Sequence, residues 1–372
     1  DRSVSRGLGD VYKRQVWVGP RGGYNFYGYL ADILTAAKTG SKAGGSIDVA
    51  DRVYVENFTK MAVDWQKEYG VNYWKWDGFA DTAQYNHFNN AGGADGVPVY
   101  SESNHHMVGG YHQMYHVTDL WEAWIDLMEA VRQSEKDDEI NNLWISLTCY
   151  VNPSPWYLQW ANSVWIQCVH DQKDASFGTT KMNKQITYRD ACYYDFLKNH
   201  QFQFPLQNLY NHDPVYGKEG TGMTANTATD EDFQNYLYML STRGTAFWEL
   251  YYSDSIMTDG KYEITGEFLE WAEANYHMLK NSKMIGGKPD ITKLSNGDLS
   301  SEAQAEAYGF SCFDGKDGII SLRNPSASAD KAITFTFDRT MGVAENAGTL
   351  NYYLEHSYLL SDESAQTGTL EY

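Results

Sequence analysis

From Val16 onward, short apolar runs alternate with stretches in which apolar residues recur every three or four positions. That is the signature of strands alternating with amphipathic helices. VWVG (16–19) predicts a strand, followed by a glycine-rich loop, PRGGY. Residues 52–69 place Val55, Phe58, Met61, Ala62, Trp65 and Tyr69 at helical spacing, and Gly70 marks the stop. VNYWKW (71–76) predicts the next strand, and 78–115 a long Gly-, Asn- and His-rich connection. A helix is expected over 117–133, a strand at LWISLTC (143–149), a short helix after Pro153 and Pro155, and a strand at SVWIQCV (163–169). Further helices are expected over 181–198, 229–242 and 264–281, with FQFPLQNLY (202–210) and TAFWELYY (245–252) as intervening strands. Beyond about residue 285 the helical period stops. AYGFSCF, GIISLR and AITFTF then follow at short intervals with Gly, Asp and Ser turns, the pattern of an antiparallel β module.

Strands alternating with helices predict an α/β fold built on a parallel sheet. The expected architecture is a TIM (β/α)8 barrel over 16–285, the catalytic domain, with a C-terminal antiparallel β-sandwich over 286–372. About six strand–helix units are legible where a closed barrel needs eight, so the first two are expected to be missing. Residues 1–15, DRSVSRGLGDVYKRQ, have no apolar signal core and no small-residue cleavage site. They read as a sequencing-adapter scar rather than a natural start.

Composition narrows the partners. The 372 residues carry 29 Lys+Arg against 49 Asp+Glu, a net charge of −20. So negative a chain is ill suited to nucleic acid or an anionic membrane surface. No apolar run approaches the roughly 20 residues of a spanning helix, so no membrane insertion is expected. The 12 Trp, 29 Tyr and 15 Phe provide rings for a core and for flat apolar ligand faces, sugars included. Cys149, Cys168, Cys192 and Cys312 have no metal-type spacing.

The sharpest local feature is Tyr73-Trp74-Lys75-Trp76-Asp77-Gly78. Lys75 and Asp77 are two apart and therefore share one side of a strand. Asp77 ends that strand, where parallel barrels build their sites. A carboxylate there could act as a nucleophile beside a cation; the plainer alternative is an Asp capping a loop. A second cluster, His170-Asp171-Gln172-Lys173-Asp174-Ala175, lies past the SVWIQCV strand. Two carboxylates converging over one barrel mouth are what glycoside hydrolysis needs. Trp74, Trp76, Trp156 and Trp248 are candidates for sugar stacking, with core packing as the alternative. Asn211, His212 and Asp213 could bind hydroxyls, or form an Asx turn before Pro214. Glu249, if turned inward, needs a partner. His105, His106, His112 and His116 raise a metal site, but no zinc signature accompanies them.

On these residues the chain resembles the clan D retaining α-glycosidases, closest to the glycoside hydrolase family 36 group of α-galactosidases and α-N-acetylgalactosaminidases. Lys75-Trp76-Asp77 matches the family's Lys-Trp-Asp nucleophile motif. IQCVHDQKDA (166–175) matches the acid/base motif at Asp171, Asp174 and Ala175. His170 stands for the family's Ser, Gln172 and Lys173 for Asn and Thr, and LTCYVNPSPWYLQW for a Gly- and Cys-containing segment. The resemblance implies Asp77 as nucleophile and Asp171 as acid/base; Lys75, Trp74, Trp76, Trp156, His170, Asp174, His212 and Trp248 are the residues expected on the substrate. It implies no cofactor and no metal, an oligosaccharide or glycoconjugate substrate, and removal of terminal α-linked galactose or N-acetylgalactosamine with retention. It also implies that VWVGP, YWKWD, LWISLTC, SVWIQCV, FPLQNLY and AFWELYY are the third to eighth barrel strands. Two alternatives stay open: a non-catalytic carbohydrate-binding protein on a decayed barrel, and a metal-dependent hydrolase. A glycan substrate suggests a secreted, cell-surface or periplasmic bacterial protein.

Overall fold

The alternating pattern resolves into two units, residues 1–167 and 168–372. The computed structural model describes residues 14–20, 27–40, 42–43, 46–47, 51–77, 113–140, 142–148, 153–166, 174–201, 203–217, 228–289, 291–293, 298–299, 302–354 and 366–371.

The first unit runs β1 (Gln15–Val18), α1 (Tyr27–Ala36), a short ribbon of β2 (Lys42–Ala43) and β3 (Ser46–Ile47), α2 (Arg52–Tyr69), β4 (Tyr73–Asp77), α3 (Gln113–Asp137), β5 (Trp144–Thr148) and β6 (Ser163–Trp165). Helix α2 starts where the Asp51 carboxylate accepts from the Val53 and Tyr54 amides. It ends at Gly70, whose φ of 65° suits a residue without Cβ. Strands β1, β4, β5 and β6 lie side by side in that order and run parallel. Because the order never reverses, right-handed crossovers put the helices on one face. The strand begins at Gln15, inside the expected scar: the Arg14 carbonyl accepts from the Asn72 and Tyr73 amides.

Register gives the sheet two unlike faces. Trp74 pairs with Ile145 and Val16, Trp76 with Leu147 and Val18, and Leu147 with Val164, so one face is apolar. The opposite face carries Trp17, Tyr73, Lys75, Asp77, Ser146, Thr148 and Ser163. Trp74 and Trp76 are fully buried. The Trp74 ring stacks on Trp65 of α2 at 6.3 Å, and its Nε1 donates to Gln66 Oε1 at 3.0 Å. A buried indole removes roughly 200 Å² from water, at most about 5 kcal/mol each. These two residues fasten the helix layer.

The second unit runs α4 (Lys181–Tyr194) with a π-turn over Asp195–Asn199, β7 (Leu209–Tyr210), β8 (Val215–Tyr216), α5 (Asp230–Ser241), β9 (Tyr251–Tyr252), α6 (Asp259–Leu279), β10 (Ser282–Gly286), β11 (Ile291–Lys293), β12 (Asp298–Leu299), β13 (Tyr308–Asp314), β14 (Asp317–Arg323), β15 (Thr349–Leu354) and β16 (Gln366–Glu371). Helix α5 carries Asp230, Glu231 and Asp232 in its first turn, where the helix dipole favours negative charge. The β13–β14 hairpin turns through Gly315 at φ 72°. In the antiparallel sheet β10-β13-β14, alternate residues face alternate cores. Met284, Tyr308, Phe310 and Cys312 pack with Phe233, Leu237 and Phe268 of α5 and α6. Ile285 and Phe313 face Met341, Val343 and Ala347. The change of character near residue 285 thus falls inside one unit.

Several expectations need correction. Among its described residues FQFPLQNLY is a strand only at Leu209–Tyr210, because Pro205 leads into a 3-10 turn at Leu206–Asn208. TAFWELYY is a strand only at Tyr251–Tyr252, which pairs parallel with β8. AITFTF forms no ladder among the described residues; Phe335 and Phe337 pack onto the Phe313 core instead. The expected α/β fold with a parallel sheet is present; the described residues do not by themselves complete an eight-stranded barrel or a two-sheet sandwich. They form an α/β unit with a parallel sheet and a unit that combines helices, antiparallel ladders and the short parallel pair β8–β9.

Candidate active site

The polar face of the first unit's sheet gathers the chemistry. On β4, Trp74 and Trp76 point to the helices, which leaves Tyr73, Lys75 and Asp77 on the other side. Lys75 and Asp77 are 1% and 6% exposed, so both ionisable groups are withdrawn from water. Such burial demands compensation. Trp17 of β1, in register with Lys75, supplies part of it twice over. Its Nε1 donates to Asp77 Oδ2 at 3.0 Å, and its ring lies beneath Lys75 Nζ, 4.2 Å from the ring centre. The indole therefore fixes the rotation of the Asp77 carboxylate with its edge and holds the Lys75 cation with its face.

Beside this group, Ser146 Oγ and Ser163 Oγ are 2.8 Å apart. Trp144 Nε1 donates to Ser146 Oγ at 2.9 Å, and Ser146 Oγ lies 3.4 Å from the Tyr73 hydroxyl. A row of hydroxyls and one oriented carboxylate thus line the face, with Asp77 at the C-terminal end of its strand. An oriented carboxylate with a cation beside it can serve as a nucleophile or as a point of negative charge. Among the described residues no group of three or more His, Cys, Asp or Glu side chains could hold a metal ion.

Trp74 and Trp76 take the core-packing alternative, because the strand's two-residue period turns them under α2. Trp156, on a 3-10 helix at Pro155–Gln159, also departs from expectation. Its ring is 4.8 Å from that of Trp160, whose carbonyl accepts from Arg132 Nε at 2.7 Å. Arg132 also binds the Leu143 carbonyl just before β5. This places Trp156 and Trp160 toward the N-terminal ends of the strands, whereas Asp77 lies at a C-terminal end. His170 and Asp171 lie outside the described residues, as do His105, His106 and His112. Trp17 was missed by the sequence reading. Its signal was the period-2 alternation of VWVG, which puts Trp17 on the face opposite Val16 and Val18.

In the second unit, Asp174 is half-buried ahead of α4. The His212 ring stacks on Tyr251 at 4.8 Å, and its Nε2 lies 3.4 Å from Glu249 Oε2. Glu249 thereby gains the partner that its position demanded. Trp248 packs on Phe268 of α6 at 5.1 Å, which is core packing. Asp213 belongs to a buried network rather than to a turn alone. Arg243 lies between Asp213 and Asp190, with Nε 2.6 Å from Asp190 Oδ1. Tyr236 donates to Asp213, and Tyr308 donates to Asp190 at 2.6 Å. Arg323 binds the Tyr308 hydroxyl at 2.7 Å. Burial is the largest influence on Arg243 and opposes its charge, but Asp190 and Asp213 outweigh it and hold the guanidinium charged. Burial pushes the Tyr308 phenol well above its usual range.

With this geometry in view, the parallel sheet and its helices can be set beside known structures. The fold is similar to that of a galactosidase domain. The domain belongs to an alpha-galactosidase–sucrose kinase, AgaSK; the likeness covers 96% of this chain and 43% of that one, with a TM-score of 0.53 and 12% identity. Two weaker likenesses are to a type I pullulanase from Bacillus subtilis complexed with maltose (TM-score 0.44, 10% identity, 97% of this chain and 52% of that one) and to AmyP in complex with maltose (TM-score 0.40, 10% identity, 85% and 63%). The chain spans less than half the length of the galactosidase structure. No protein-family model matches the chain, and no curated protein matches it in sequence.

Proposed function

We propose that the protein is a retaining glycoside hydrolase that removes terminal α-linked galactose or N-acetylgalactosamine. The observation that carries this reading is the placement of Asp77: a buried carboxylate ending a parallel strand, oriented by the Trp17 N–H, with the Lys75 cation on the same face. The Lys75-Trp76-Asp77 motif and the likeness to a galactosidase domain support it.

In the proposed reaction an Asp77 oxygen attacks the anomeric carbon as the glycosidic C–O bond breaks. Asp171 gives its proton to the leaving oxygen. Asp171 then takes a proton from water, whose oxygen attacks the anomeric carbon and releases Asp77. Retention calls for carboxyl groups about 5–5.5 Å apart. Lys75 neutralises charge near the nucleophile and binds a substrate hydroxyl. His170, Asp174 and His212, the last set against Glu249, are proposed to bind further hydroxyls.

The test is hydrolysis of a panel of aryl α- and β-glycosides by the protein and its Asp77→Ala variant. Release from an α-galactoside or α-N-acetylgalactosaminide, lost in the variant, is expected. Release from β-glycosides alone, or undiminished release by Asp77→Ala, would overturn the reading.

A further inference from the structure

The first unit carries a second feature suited to sugars, remote from Asp77. An open groove of about 770 Å³ lies between the outward face of α3 and the residues just before β6. Its volume is in the range of ligand sites. Asp126, Glu129, Gln133 and Lys136 line one side, and Gln159 and Trp160 the other. The four helix residues fall at spacings of three and four, so they form one stripe. That stripe is opposite the buried one, which carries Trp124, Leu127, Met128 and Val131.

A charged stripe alone would be an ordinary solvated helix face. Three further observations set this one apart. First, Trp160 stands across from it, an indole among polar groups. Second, the wall that holds Trp160 is tied down by several contacts. Arg132 binds the Trp160 carbonyl at 2.7 Å, Asn162 Oδ1 at 2.5 Å and the Leu143 carbonyl at 3.0 Å, and the Trp156 ring meets the Trp160 ring in an edge contact at 4.8 Å. Preorganisation of this kind lowers the cost of binding. Third, the helix presents only Ala130 between the polar side chains, which leaves room against the wall.

Charge selects the ligand. Among the lining residues Asp126 and Glu129 are balanced by Arg132 and Lys136, all on α3, so the lining has no excess of either sign. Arg132 is engaged by the wall, and Asp126 pairs with Arg52 at 2.8 Å. Amides, carboxylates and a cation beside an indole can satisfy many hydroxyls at once, whereas a phosphate chain would need a positive excess.

We propose that this groove is a binding site for a neutral oligosaccharide chain, separate from the site of bond cleavage. It lies by the N-terminal ends of β5 and β6, and Asp77 lies at the opposite end of the sheet. Such a site holds a polymeric glycan on the protein without contributing to the reaction, and it does not depend on the reaction proposed above.

The test is migration of the whole chain through native gels cast with galactomannan, soluble starch or dextran. The wild type is expected to be retarded by at least one of these polymers. Trp160→Ala is expected to weaken that retardation by about tenfold or more, as truncation of a central Trp does. Ala130→Gln, which fills the groove from a half-buried position on α3, is expected to do the same without removing any contact of the wall. Both variants should hydrolyse a small aryl glycoside as the wild type does. Absence of retardation in all three gels would overturn the proposal, as would equal retardation of all three proteins. Retardation lost in Asp77→Asn but kept in Trp160→Ala would assign the binding to the cleavage site and also overturn it. A retarded protein with no hydrolysis would sustain this site and count against the proposed reaction alone.

Discussion

Two buried charge clusters, one in each unit, are built on opposite plans. Around Arg243 the charges are met by several partners drawn from different parts of the second unit: Asp190 on α4, Asp213, and the hydroxyls of Tyr236 on α5 and Tyr308 on β13. Around Asp77, a neutral indole bridges the two charges among their contacts, donating its N–H to the carboxylate and its ring face to Lys75. The first plan ties helices to the antiparallel sheet, with Arg323 of β14 extending it through Tyr308 and Thr187. The second holds an acid at the C-terminal end of a strand, where the proposed reaction would use it. Burial of charge alone therefore does not mark a site. What distinguishes the two is whether the charges hold separate elements together or are presented at one strand end.

That contrast can be broken by exchanging which cluster is damaged. The largest effect is expected from Asp77→Ala: kcat should fall by about 10^4-fold or more, the scale of losing a covalent catalyst. Its thermal midpoint should move less than that of Arg243→Met. The latter leaves Asp190 and Asp213 as buried charges without their central cation, and should cost about 3–5 kcal/mol in urea unfolding. A stable Arg243→Met protein would show that the network is dispensable and undo the contrast. Trp17→Phe keeps a ring under Lys75 and removes the donor to Asp77. Misplacing a reacting group is worth about 100-fold, so kcat should fall on that scale with KM little changed; equal loss in both would indicate a packing role. Cys312, on the sheet beside the Arg243 network, has its thiol pushed by burial up to about 12. The thiolate is the reactive form, so at pH 8 iodoacetamide should spare Cys312 until urea unfolds the protein; rapid labelling of the native protein would show that this core opens. The smallest effect is expected from Arg52→Ala on the surface of α2. Its partners Asp126 and Glu122 are more than half exposed, and the change should cost under about 1 kcal/mol in the same unfolding measurement.

Much of the first unit was legible in the sequence because its signals were local. Gly70 closes α2, and the observed helix fills the predicted 52–69. YWKWD, LWISLTC and SVWIQCV each contain an observed strand. Reading failed where pairing decided the outcome. The apolar runs around Pro205 and Phe247 look like strands, yet only two residues of each enter a ladder. AITFTF alternates correctly, with Phe335 and Phe337 turned inward, but alternation cannot show whether a neighbouring strand is there to pair. The start of α6 at Asp259 was marked by Thr258, whose hydroxyl accepts from the Lys261 amide, a capping signal that the apolar period over 264–281 obscured. At the candidate site, Lys75 and Asp77 were visible from their spacing of two. Trp17 was not, because its role depends on the register of β1 against β4, 58 residues apart in sequence by the paired positions Gln15 and Tyr73.

The central claim is that Asp77 is the group that bonds to the sugar. The most direct measurement is to incubate the protein with a fluorinated α-galactosyl fluoride, which slows release of a covalent intermediate, and to map the modified peptide by mass spectrometry. The expected result is one added glycosyl group on the peptide containing Asp77, absent from Asp77→Ala. A label on any other carboxylate, or undiminished turnover with no label at Asp77, would contradict the claim.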